Sequence, residues 1–205
     1  MHAMLRRSHR FLDRPLSLVS RGVMLLGIVA LAAGAFLPLW RIRLIAPQYQ
    51  EGLTLEMYSH KIAAGNSGQD LAEINTLNHY IGMKPIAQAD FAEMTWMPFA
   101  IGIFALLALR TVAIGKIGHL VDLGVLFVYF GAFSMASFAY RLWSYGHHLS
   151  ADAPIRMAPF TPVVVGRQQI ANFVQTSLPM VGTVCMGLFL FSVLAAIWLS
   201  RQEDL

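Results

Sequence analysis

An imidazole and a thioether stand four positions apart in Asn78-His79-Tyr80-Ile81-Gly82-Met83, a polar segment between two apolar ones. A helical backbone would turn His79 and Met83 onto one face, where they could share an ion or a partner surface. Imidazole nitrogen and thioether sulfur suit copper in either oxidation state, whereas magnesium and calcium take oxygen. His and Met also serve as axial haem ligands. A second imidazole pair, His147-His148, follows Trp143-Ser144-Tyr145-Gly146. The plain alternatives are a packed helix end for the first group and a solvated interfacial pair for the second, and residue types leave both open.

What must position these residues is a membrane architecture. Hydrophobic residues make up 57% of the chain and charged ones 13%, with mean hydropathy +0.57, a composition suited to a lipid bilayer. Four apolar runs, about 21–40, 96–115, 119–143 and 178–199, are each long enough to cross about 30 Å of hydrocarbon at about 1.5 Å per residue. The four tryptophans, Trp40, Trp96, Trp143 and Trp198, stand one at an end of each run, as rings at headgroup depth do. The expected fold is an all-α membrane protein: a single domain, residues 1–205, of four transmembrane helices, with outer loops 41–95 and 144–177 forming a partly ordered cap.

Arg6, Arg7, Arg10, Arg14 and Arg21 crowd the N-terminal tail, and Arg110 and Lys116 bracket the turn between the second and third runs. The positive-inside rule places both stretches, and with them the C-terminus, in the cytoplasm. The expectation is a multi-pass protein of the bacterial inner (cytoplasmic) membrane, both termini cytoplasmic and both long loops periplasmic. A basic head before an apolar run also suits a cleaved signal peptide, but this run is long for one and ends in Pro38-Leu39-Trp40 rather than small-x-small. A retained anchor is expected.

Several function classes are disfavoured. Cys185, the only cysteine, lies inside the fourth run and builds neither a disulfide framework nor a thiolate cluster. The net charge of +4 is concentrated beside a span, where basic residues set orientation and meet anionic lipid, so no nucleic-acid partner is expected. The chain has no glycine-rich phosphate loop, nucleophile elbow or zinc-protease helix motif, and no enzyme activity is expected. Arg110 and Asp122 lie near the inner ends of their runs and can snorkel rather than form a relay. Four spans without a polar pathway or repeat argue against a monomeric transporter.

The loops therefore carry the function. Ile42–Pro47 alternates like a strand, and Pro47 with Gly52 brackets a turn. Gly65–Gly68 reads as a flexible turn, after which Asp70 caps a helix through Leu71, Ile74, Leu77 and Ile81. Gly82 and Pro85 end it. This amphipathic helix is expected on the membrane surface or against the spans. Pro154, Pro159 and Pro162 keep the second loop extended, and a helix is expected to begin at 172–175 and lead into the fourth span. His60, His79, His147 and His148 then all fall on the outer side, with Met57 and Met94 read as gap-fillers and Tyr49, Tyr80 and Tyr145 as interfacial aromatics.

Three blocks carry a resemblance: Ala46-Pro47-Gln48-Tyr49-Gln50-Glu51-Gly52-Leu53, then Ile74-Asn75-Thr76-Leu77-Asn78-His79-Tyr80-Ile81-Gly82-Met83, then Tyr145-Gly146-His147 with Leu149 and Asp152. They resemble a family of small four-span bacterial inner-membrane proteins often encoded beside the copper-chaperone lipoprotein and other maturation factors of nitrous oxide reductase. The resemblance covers most of the chain, and the middle block is its most specific part. Family members tend to carry an Asn and then an acidic residue soon after the Gly-His pair; here His148 follows directly and the acid is displaced to Asp152. The resemblance implies a non-enzymatic membrane protein assisting copper supply to, or assembly of, a copper-dependent respiratory enzyme at the periplasmic face. Its partners would be the bilayer and a copper chaperone or that enzyme. The metal ligands on this view are His79, Met83, His147 and His148, a shallow, incomplete shell that a partner's ligands can enter. The alternatives are an accessory structural subunit of a membrane oxidoreductase complex and a haem- or quinone-associated membrane protein.

Overall fold

The computed structural model describes residues 11–202. Arg6, Arg7, Arg10 and residues 203–205, which bear on the expected orientation, lie outside them. The helices are α1 (Leu18–Phe36), α2 (Gln69–Tyr80), α3 (Glu93–Ile114), α4 (Ile117–His147) and α5 (Val181–Gln202). All but α2 are long and apolar enough to cross a membrane, in agreement with the four apolar runs.

The all-α class does not hold. Strands β1 (Trp40–Ala46), β2 (Tyr49–Met57), β3 (Ile62–Ala64), β4 (Gly166–Ile170) and β5 (Phe173–Pro179) form one antiparallel five-stranded sheet in the order β3-β2-β1-β5-β4. β1 buries Trp40, Leu44 and Ala46 and exposes Arg41 and Arg43 between them, the period-two pattern of a half-buried strand. It pairs with β2 from Trp40↔Met57 and with β5 from Trp40↔Pro179. The two interspan segments are thus joined through backbone.

Three local expectations are corrected. The helix expected at 172–175 is β5, whose buried face carries Phe173, Gln175 and Ser177; polar residues at buried positions hide the strand alternation. The first span ends at Phe36 rather than residue 40, since the residue before Pro38 is pushed out of helical space. Trp40 is therefore no headgroup anchor: it is buried in the sheet, donates from Nε1 to Ser177 Oγ at 2.8 Å, and lies 5.2 Å from the Phe138 ring.

The chain divides into two compact units. One gathers the described residues up to Phe36 with Pro98–Ala132 and those from Val184 onward. Here α1 and α5 approach through small residues, as helices do where lipid supplies no hydrophobic drive. Ser20 Oγ donates to the Ala196 carbonyl at 2.9 Å and accepts from Ser200 Oγ at 2.8 Å. Gly27 faces Ser192, so closely that a Cβ on it would lie 1.9 Å from Ser192 Oγ.

The other unit comprises Leu37–Met97 and Phe133–Thr183. Ile74 and Leu77 of α2, with Ile81 just beyond it, pack onto Leu44, Leu53, Leu55 and Phe173 of the sheet. The helix expected against lipid or spans thus buries its apolar face on strands. Asp70 does not cap it; its Oδ2 accepts from the Thr54 backbone N–H at 2.8 Å and ties α2 to β2.

Candidate functional site

The block Ile74–Met83 ends α2 in a Schellman turn. Gly82 adopts φ +80°, the Met83 N–H donates to the Asn78 carbonyl at 2.8 Å, and the Gly82 N–H donates to that of His79 at 3.2 Å. The helix stops at Tyr80, so the four-residue spacing no longer places His79 and Met83 together. His79 is exposed, its ring 6.4 Å from that of Tyr80. Met83 turns inward against the sheet core. The expected shared face is not formed, because the left-handed glycine lies between the two residues.

Asn75 explains much of the rest of the block. Its Nδ2 donates to the Ile86 carbonyl at 3.1 Å and its Oδ1 accepts from the Ile86 N–H at 2.7 Å, pinning the segment after the turn back onto α2. Asn75→Ala is expected to destabilise this unit by about 1–2 kcal/mol. His79→Ala should change stability by less than about 0.5 kcal/mol, its side chain being exposed. Thermal unfolding of the detergent-purified variants checks the contrast.

The other two imidazoles stand at the C-terminus of α4, His147 as its last residue and His148 directly after it. His147 Nδ1 lies 2.9 Å from the Trp143 carbonyl oxygen, with its ring stacked on that indole at 4.6 Å. His148 Nδ1 lies 3.0 Å from the Ser144 carbonyl oxygen and 3.2 Å from Ser144 Oγ. A carbonyl oxygen only accepts, so the neutral tautomer that makes these contacts carries its proton on Nδ1 and its lone pair on Nε2. The chain then returns to the first block: the Ser150 N–H donates to the Gly82 carbonyl at 2.8 Å, and the Ile155 N–H to that of Tyr80 at 2.9 Å. The two interspan segments converge here. Among the described residues no group of three or more His, Cys, Asp or Glu side chains is placed to hold a metal ion, so His79, His147 and His148 do not form one cluster.

Beside this junction lies a partly open cavity of ≈ 70 Å³ within the sheet-containing unit. Its walls include Leu44, Leu55, Met83, Phe138 and Leu142, with Asn78, Arg141, Tyr145 and Gln175 as polar members. Arg141 pairs with Glu93 at 3.2 Å, and Ser137 Oγ donates to the same carboxylate. Tyr145 donates to Asp90 at 3.4 Å, and its ring stacks with Phe91 at 6.4 Å between centroids. Lys84 pairs with Asp90 at 2.6 Å, and this hydrogen bond holds the Asp90 carboxyl below its ordinary range. Sequence reasoning passed over these groups and weighed only Arg110 with Asp122. The signal was present: Glu93 and Arg141 each interrupt or border an apolar run, where a charge requires a partner.

The fold and site define a multi-pass membrane protein whose interspan segments build a sheet module around an apolar cavity. No protein-family model matches the chain, and neither the curated proteins nor the solved structures contain a match.

Proposed function

We propose that this is a non-enzymatic inner-membrane protein that assists copper supply to, or assembly of, a copper-dependent respiratory enzyme, with the sheet module on the periplasmic side. The observation carrying the reading is the pair of carbonyl contacts at His147 and His148, each of which orients an imidazole and is made by the tautomer with its lone pair on Nε2. Metal-ligating histidines are oriented in this way by a hydrogen bond from the other ring nitrogen. These two residues would hold a cuprous ion, while His79 does not join them in one cluster. Met83 contributes to the sheet core instead. Copper would supply a soft acceptor for imidazole; the chain supplies orientation and an accessible surface from which a partner's ligands can take over.

A second reading, an accessory subunit of a membrane oxidoreductase complex, is favoured by how the most specific block is used. Asn75, Leu77, Gly82 and Met83 all serve the module's own fold, as expected of a scaffold that presents a surface. A competitive cuprous titration against a chromophoric chelator, on the detergent-purified full chain, separates the two. Copper supply predicts stoichiometric binding weakened at least about tenfold by His147→Ala/His148→Ala, and unchanged in Met83→Leu. If the wild type does not compete for copper, the accessory-subunit reading stands.

A further inference from the structure

The cavity contains a donor without an acceptor. Asn78 is 3% exposed and lines the cavity, yet its Nδ2 has no hydrogen-bond partner. A buried amide N–H left unmade costs about 1–3 kcal/mol, and the Asn78 backbone carbonyl is already taken by the Met83 N–H. The rest of the wall is apolar apart from Arg141, Tyr145 and Gln175. Arg141 and Tyr145 are engaged with Glu93 and Asp90, and Gln175 donates to the Val163 carbonyl at 3.2 Å. Among the described residues lining the cavity, Asn78 is the one with a buried side-chain donor that lacks a partner.

Depth indicates the source of that ligand. One wall is formed by Phe138, Arg141, Leu142 and Tyr145, on the last turns of the 31-residue α4. At about 1.5 Å per residue this helix is about 46 Å long, against about 30 Å of hydrocarbon. Counted from Ile117, its residues beyond about position 137 reach the headgroup layer, where a Trp such as Trp143 settles. A hydrocarbon layer beginning at Ile117 would bring this wall to the depth where lipid-soluble molecules expose their polar ends. We propose that it binds the carbonyl-bearing end of a molecule drawn from the bilayer, either the ring of an isoprenoid-type quinone or the ester of an acyl lipid, with Asn78 Nδ2 donating to the carbonyl and Leu44, Leu55 and Phe138 enclosing the carbon beside it. A volume of ≈ 70 Å³ admits a ring edge or a few methylenes, the remainder leaving through the open side. This assignment is independent of the copper reading.

Native mass spectrometry of the detergent-purified full chain tests it, with decyl-benzoquinone, a phosphatidylethanolamine and decylbenzene as probes. A quinone carbonyl predicts retention of decyl-benzoquinone over decylbenzene and about tenfold weaker retention in Asn78→Leu, which keeps the volume and removes the donor. The same pattern for phosphatidylethanolamine assigns the ester. Leu142→Trp, which fills the cavity without touching the amide, must weaken the retained probe as well. Equal retention of decylbenzene, or retention unchanged in both variants, overturns the proposal.

Discussion

Replacing Gly27 with leucine is expected to separate α1 from α5 and destabilise the protein by about 3 kcal/mol or more, the upper end of what overpacking costs. A Cβ at Gly27 would lie 1.9 Å from Ser192 Oγ and 2.7 Å from Ser192 Cβ. Rotating the hydroxyl relieves only the first contact and abandons its 2.7 Å hydrogen bond to the Phe189 carbonyl. The next neighbour, Phe189 Cδ2, is at an ordinary 3.6 Å, so the clash belongs to one side chain. Gly27→Ala should therefore lower the unfolding midpoint, and adding Ser192→Gly should restore most of the loss, a coupling that a double-mutant cycle reads directly. An unchanged midpoint in Gly27→Ala would mean that these helices do not approach as described.

Gly146→Ala is expected to be comparably damaging, by about 3 kcal/mol, and no second substitution should rescue it. Here the added Cβ would meet the Phe160 carbonyl oxygen at 2.0 Å and the carbonyl carbon at 3.0 Å. Backbone cannot be trimmed, and moving it breaks the 3.0 Å bond from the Phe160 N–H to the Gly146 carbonyl. Hydrogen exchange across residues 155–162 should accelerate sharply in Gly146→Ala while remaining near wild type in His147→Ala, whose side chain bonds within its own helix. Equal exchange in the two variants would mean that Gly146 does not approach Phe160 as closely as described.

Gly146 illustrates why the second-loop motif was only half legible. Its sequence neighbourhood points to the histidines, while the close approach to Phe160 depends on a chain segment fourteen positions on. The middle block behaves similarly. Its helix, its apolar positions and its terminating glycine could all be read from spacing, yet a helix end places His79 and Met83 together only if the turn between them is helical. Gly82 at φ +80° makes it left-handed. The unpartnered Asn78 amide had no sequence signal, because partnership is a property of the neighbours.

By itself the sequence determined the four spanning helices, since each needs only a long run of apolar residues whose backbone hydrogen bonds close within the segment. It also determined β1 and α2, whose periods of two and of three to four are written locally. Tertiary structure alone decided that 173–179 is a strand, since the polar Gln175 and Ser177 become buried only when β1 supplies the ladder and Trp40 and Val163 complete their hydrogen bonds. It also decided the partner of α2 and the meeting of the two interspan segments at Gly82 and Ser150. Strand pairing and cavity formation join residues more than a hundred positions apart, and a local pattern carries no record of which distant backbone will satisfy it.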